Sequence, residues 1–377
     1  MVHIPLAGLK EVKERNYIMK KKILSLLFAG VLALASLAGC GNASGSVDTG
    51  NANAGNAATE EGNGNPDAPA ELQTIRLAVM TGGMDQYVDE VAQWQGFFAN
   101  HGINAEITEY VYGIATIDAI VNGTADIGDM ADYATVNRLG NTYGVTDLKI
   151  FSDLGAPSGD MVGGLYVAPE YADDLASLDG SKGFMSTIGT VVDYYVAKAI
   201  EYLGFDFDNQ NIIAVDSAQT ALAVATAGNA SAYFVSGEQV AYFEEIGWKK
   251  VATAQEIGVS TTAYLLATEG FISDNTELLA EYLLAVDEAI DFINNNLDET
   301  AEYLAQKLSI LPENFKANWQ NRVFEHGLNE DSAQHLEEVE KWAFEAGRFE
   351  TDYSVREFYD VRPAEIAFPD AVTVVLN

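Results

Sequence analysis

Cysteine is almost missing from this chain: Cys40 is the only one among 377 residues. No disulfide can close within it, so the fold must rest on its packed core alone. Basic residues are scarce too, with 20 Lys+Arg against 56 Asp+Glu and a formal net charge of −36. A body so acidic is repelled by nucleic acid and by anionic lipid headgroups, which argues against either as a partner. No short internal period is visible, which disfavours a solenoid. Neither a Gly-x-Ser-x-Gly elbow nor a phosphate-binding Gly-x4-Gly-Lys-Ser/Thr loop occurs, so nothing marks a serine hydrolase or an ATPase. His326 and His335 stand among Glu325, Glu330 and Glu337. Their spacing fits no common metal-ligand pattern and reads as a solvated acidic helix surface. The expectation is a non-enzyme with no cofactor and no metal; a cleft hydrolase using two carboxylates or an adhesin is the weaker alternative.

What is present begins with MKKKILSLLFAGVLALASLAGC, starting at Met19. Three lysines, an apolar run and small residues follow one another as in a secretory signal peptide. The run from Ile23 to Ala38 ends too soon for a comfortable membrane span. Leu37-Ala38-Gly39-Cys40 resembles the lipobox of bacterial lipoproteins, which implies that Cys40 is lipidated on sulfur and becomes the first residue after cleavage, with Met19 as initiator. Residues 1–39 are then leader, whose loss removes six basic and two acidic residues and leaves a net charge of about −40. Residues 40–71, rich in Gly, Asn and Ala, cannot bury enough surface to fold and read as a flexible tether.

From Leu72 onward about 306 residues remain, long for one core and comfortable for two lobes. TIRLAVM, INAEITEY, ADIGDM, LKIFSDL and GGLYVAP are strand candidates. QYVDEVAQWQGFFANHG, IATIDAIVNG and ADYATVNRLG carry helical periodicity. A second set follows: LDGSKGFMS, NIIAVD, ASAYFV, KKVATA and TTAYLLATEGF as strands, with helices between them. From Asn275 the pattern is almost entirely helical. Such alternation predicts α/β layering with mainly parallel strands.

Ligands of open α/β sheets sit where strand ends lead into helix N-termini. Three polar loops occupy such places: Thr81-Gly82-Gly83-Met84-Asp85, Asp129-Met130-Ala131-Asp132 and Ser186-Thr187-Ile188-Gly189-Thr190. Asp129 is placed to cap a helix, and ordinary capping is the competing account of all three. These loops contain no Lys or Arg, while Asp85, Asp129, Asp132 and Glu238 are candidates to line a cleft. Acidic walls favour a donor-rich solute, an amine or an aminopyrimidine, over bare nitrate.

IRLAVMTGGMDQ, IDAIVNGTADIGDMAD and LDGSKGFMSTIGT carry a resemblance across roughly 72–345. The chain is similar to the periplasmic-binding-protein-like solute-binding components of ABC importers for nitrate, sulfonate, taurine and thiamine-precursor pyrimidines. The resemblance implies a two-lobed α/β fold with a hinge and a helical C-terminal part. Lobe 1 would comprise 72–168 and 262–377, lobe 2 residues 169–261. It further implies solute contacts at Thr81, Gly82, Gly83, Met84, Tyr112, Gly113, Asp129, Met130, Asp132, Ser186, Thr187, Thr190, Ser236 and Glu238, with Tyr112 as a stacking wall. One departure is Gly228-Asn229-Ala230-Ser231-Ala232, where the family's turn carries an Asp. The expected function is capture of a sulfonate, taurine or nitrate by a monomer lipid-anchored outside the cytoplasmic membrane, for delivery to a permease and its ATPase. An aminopyrimidine or other amine-bearing solute is the alternative.

Overall fold

The computed structural model describes residues 72–111, 113–158, 163–237, 239–324 and 326–376. Cys40, the leader, the tether, Tyr112 and Glu238 lie outside these. Residues 67–377 make up one compact unit.

Two sheets organise it. The first runs in the order β11-β4-β10-β3-β1-β2. Its strands are β1 (Gln73–Met80), β2 (Ile103–Tyr110), β3 (Ile127–Ala131), β4 (Leu148–Pro157), β10 (Ala263–Thr268) and β11 (Arg322–Phe324). The second runs β7-β6-β8-β5-β9. It comprises β5 (Gly164–Val167), β6 (Phe184–Ser186), β7 (Ile212–Ala214), β8 (Ala232–Val235) and β9 (Lys249–Thr253). β1 pairs in parallel with β2 and β3, and β6 with β7 and β8. β10, β11 and β5 all pair antiparallel to their neighbours. The sheets are therefore mixed rather than mainly parallel: the strands that leave or re-enter a sheet at the crossovers reverse direction. The chain crosses between Pro157 and Gly164 and returns between Thr253 and Ala263. GLYV, assigned to lobe 1 by a boundary at 169, pairs with β8 and β9 and so belongs to the second sheet.

The principal helices are α1 (Met84–Gln95), α2 (Gly113–Val121), α3 (Asp132–Asn141), α4 (Val191–Tyr202), α5 (Thr276–Asn295) and α6 (Glu330–Glu345). The helix expected over QYVDEVAQWQGFFANHG breaks at Gly96, whose left-handed backbone closes α1. Ile75, Leu77 and Val79 alternate onto one face of β1, where α1 and α5 cover them. The opposite face carries Ala78, Tyr264 and Leu266 under α2, α3 and α6. That second core continues into the other sheet through Tyr194, Tyr195, Phe184 and Phe234, so the two lobes share apolar packing. Among the described residues no helix is long and apolar enough to cross a membrane.

Candidate functional site

The carboxyl ends of β1, β2 and β3 bring the first loops together. After β1 the backbone turns at Gly82 and Gly83. A Cβ on Gly83 would stand 2.1 Å from Asp85 Oδ1 and 2.8 Å from the Met80 carbonyl, so only glycine fits. Asp85 folds back to accept the Met80 N–H at 2.7 Å, and Gln86 Oε1 accepts the Gly82 N–H at 2.7 Å. Thr81 and Gly82 are exposed, and the Thr81 N–H donates to the Tyr110 carbonyl at 2.8 Å, tying this loop to the end of β2. Gly113 opens α2. The Thr116 hydroxyl lies 2.7 Å from the carbonyls of both Gly113 and Asp129, donating to one at a time.

Asp129 does not cap α3. It is a strand residue on the α1 face, only 4% exposed, and the N-cap is Ala131 with no side-chain bond. Burial pushes the Asp85 carboxyl up to about 6. Burial and then the charge of Asp85 hold Asp129 well above the usual carboxylate range. The two behave as carboxyls sharing one buried site, each holding its proton beyond the usual range. Asp89, also raised chiefly by burial, accepts the Tyr282 hydroxyl at 3.1 Å. Arg322, from β11, brings a half-buried guanidinium towards Asp85, Asp129 and Tyr87. Asp85 and Asp129 thus face the lobe 1 interior rather than forming an open acidic wall.

Asp132 is fully buried at the start of α3, where its N–H donates to the Thr262 carbonyl of the return crossover at 3.0 Å. Its carboxylate accepts the Tyr133 N–H at 2.7 Å and the Thr261 hydroxyl at 3.2 Å, and lies 2.8 Å from His335 Nε2. His335 is accordingly no solvated surface residue. Burial alone would push its imidazole down, but the hydrogen bond and charge of Asp132 outweigh it and hold it above the usual range. His335 and His326 line a cavity of about 620 Å³ beside the crossovers, with Gly155, Ala156, Ser260 and Thr262. No group of three or more potential metal ligands is gathered among the described residues.

In the second lobe Ser186 closes β6 and Thr190 is the N-cap of α4, accepting the Val192 N–H at 3.2 Å. The Thr190 hydroxyl lies 2.8 Å from the Thr187 carbonyl, and Ser186 Oγ donates to Asp193 at 3.3 Å. Ser236 is half-buried against the first crossover at Gly163. Apolar side chains flank these loops: Val111 is 69% exposed, Ile188 49%, Val323 46% and Ile114 43%.

Residues 89–300, more than half of the chain, match the family described as NMT1/THI5 like. The chain belongs to the NMT1/THI5-like family. Its fold is that of solved periplasmic binding proteins. The periplasmic aliphatic sulphonate binding protein SsuA from Escherichia coli superposes with a TM-score of 0.65 at 14% identity, covering 76% of this chain and 97% of that one. The alkanesulfonate-binding SsuA from Xanthomonas axonopodis, bound to MOPS, gives 0.61 at 12% identity, covering 78% and 99%. The nitrate-binding NrtA from Synechocystis gives 0.56 at 16% identity, covering 80% and 88%. No curated protein sequence matches the chain.

In this NMT1/THI5-like chain, Arg322, Arg348, Tyr133 and Asp193 escaped the loop-by-loop reading. The two arginines come from the C-terminal part, far in sequence from the loops they approach. Asp193 did leave a signal, because Thr190-x-x-Asp193 has the spacing of a capping box at the head of α4.

Proposed function

We propose that the chain is the extracytoplasmic solute-binding component of an ABC importer, anchored by a lipid on Cys40 and tethered through residues 40–71. Lobe 1 comprises residues 72–157 and 263–376, and lobe 2 residues 164–253. A small polar solute of the sulfonate, taurine or nitrate class is clasped between the loops of β1, β2 and β3 and the β6–α4 loop with its neighbour Ser236. The solute is handed to a membrane permease driven by a partner ATPase. One observation carries the solute class: the hydroxyls of Ser186, Thr187 and Thr190 stand in the loop that opens a helix N-terminus, with the exposed Ile188 among them. Helix N-termini favour anions, and the apolar rim suits a short alkyl tail, so an alkanesulfonate fits better than nitrate. A second reading, an aminopyrimidine or other amine-bearing solute, is supported by the absence of any Lys or Arg from these loops.

A thermal-shift titration of residues 67–377 against ethanesulfonate, taurine, nitrate, an aminopyrimidine and a polyamine tests both. A solute at a hundred times its dissociation constant stabilises by about 2.7 kcal/mol. Ethanesulfonate is expected to raise the transition and nitrate to do less. A response confined to the amines would replace the sulfonate reading with the second, and no response from any member would overturn both.

A further inference from the structure

Asp193, in the first turn of α4, is 1% exposed. Within lobe 2 it accepts the Ser186 hydroxyl at 3.3 Å and the Gly189 N–H at 3.4 Å, so it holds the loop bearing Ser186, Thr187 and Thr190. Two donors from lobe 1 converge on the same carboxylate. The Tyr133 hydroxyl reaches it at 3.4 Å, and Arg348 Nη2 lies 3.1 Å from Oδ1 and 3.0 Å from Oδ2.

Arg348 is delivered there by the end of α6. Gly347 takes φ +66, a conformation open to glycine, and the Arg348 N–H returns to the Ala343 carbonyl at 2.9 Å. The guanidinium then lies 5.8 Å from the Trp342 ring centre. Trp342 in turn packs edge-on against Tyr133 of lobe 1 at 5.7 Å and Tyr194 of lobe 2 at 5.0 Å. Trp342, which lies beside the guanidinium, is thus packed against aromatic rings of both lobes.

We propose that Asp193 is a positioning residue through which lobe 1 sets the solute loop of lobe 2. Arg348 and Tyr133 latch the lobes across it, and the latch fixes Ser186–Thr190 in the orientation that holds a solute. Separating the lobes breaks the ion pair and the Tyr133 hydrogen bond at one carboxylate together and exchanges both for contacts with water. The latch therefore biases the molecule towards its closed arrangement before any solute arrives and slows solute escape afterwards. The second part of this inference rests on the solute-binding reading above; the first does not.

The two parts are tested separately. Residues 67–377 contain no cysteine, so Asn122→Cys in lobe 1 and Glu201→Cys in lobe 2, both at exposed positions, can be labelled as a fluorescence-transfer pair. In the solute-free protein, Arg348→Gln and Asp193→Asn are each expected to lengthen and broaden the interlobe distance. Their combination should add little to either, and Arg348→Lys should recover part of the parent distance. Tyr133→Phe, which loses one hydroxyl, is expected to give a smaller change of the same sign; it decides the matter if the charge variants do not fold. A lowered melting point with unchanged distances would mean a purely local structural role and overturn the latch. With ethanesulfonate as probe, Arg348→Gln should speed dissociation about tenfold or more while association changes little, as for loss of one partner of a buried charge pair. An unchanged dissociation rate would overturn the positioning role. Failure of ethanesulfonate to bind the parent counts against the solute class and leaves the distance measurement to judge the latch.

Discussion

At the residue scale the sharpest consequence concerns the raised carboxyls of Asp85 and Asp129. An ordinary carboxyl in the unfolded chain gives up its proton near pH 4, whereas folded Asp85 holds one up to about 6 and Asp129 longer. Between those values the folded state binds more protons than the unfolded state, so stability falls as pH rises through that window. His335, held above its ordinary value by Asp132, works in the same direction: its contribution is complete below the unfolded value and is lost as pH rises through the folded one. Asp129→Asn keeps an N–H donor towards Asp85 but removes one buried titration. The variant is expected to be more stable than the parent by on the order of 1–2 kcal/mol at about pH 7.5, and close to it at about pH 5. Urea titrations at both pH values check this. Equal stability of the two proteins at the higher pH would refute the raised Asp129 carboxyl.

At the scale of elements, α3 shows propensity and packing in conflict. Gly140 lies in its last turn, where alanine would gain up to about 1 kcal/mol of helix propensity. A Cβ there, however, would come within 2.5 Å of the Phe349 ring. Overpacking of that kind costs about 1–3 kcal/mol, so the clash wins. Gly140→Ala is expected to lower the urea midpoint despite improving the helix. Because Phe349 adjoins Arg348, the same change should also lengthen the interlobe distance in the labelled protein. A raised midpoint would show that Phe349 yields freely. The helices and strands with strong periodicity were legible in sequence: β1 alternates, and Thr190 caps α4 where the pattern starts. β11 was not legible. Three residues, Arg-Val-Phe, cannot display a period, and they form a strand only because the end of β4 offers a free edge.

On the scale of the whole molecule the anchor is the feature to test. Cys40 is the single thiol of the chain, and a diacyl-bearing residue at that point would hold an acidic body off an acidic membrane through the tether. Cys40→Ser is expected to move the protein from the membrane fraction to the soluble extracytoplasmic fraction, without altering its melting point. Persistence in the membrane fraction after detergent-free washing would exclude the lipid anchor. The body itself can stand without disulfides, because two apolar cores on the faces of the first sheet and a third in the second lobe bury its aromatic side chains.

The sequence alone determined the α/β class, the two-lobed order of elements and the polar loops at strand ends, because each is written locally as period, cap or turn. Only the tertiary structure decided what the acidic side chains of those loops do. Asp129 turns beneath α1, Asp132 binds His335 and the return crossover, and Asp193 takes Arg348. These pairings join residues 155 and 203 positions apart, and no local pattern encodes a partner at such a separation. The direction of a buried carboxylate is set by which donors packing brings within reach, and that is a property of the assembled core rather than of any stretch of chain.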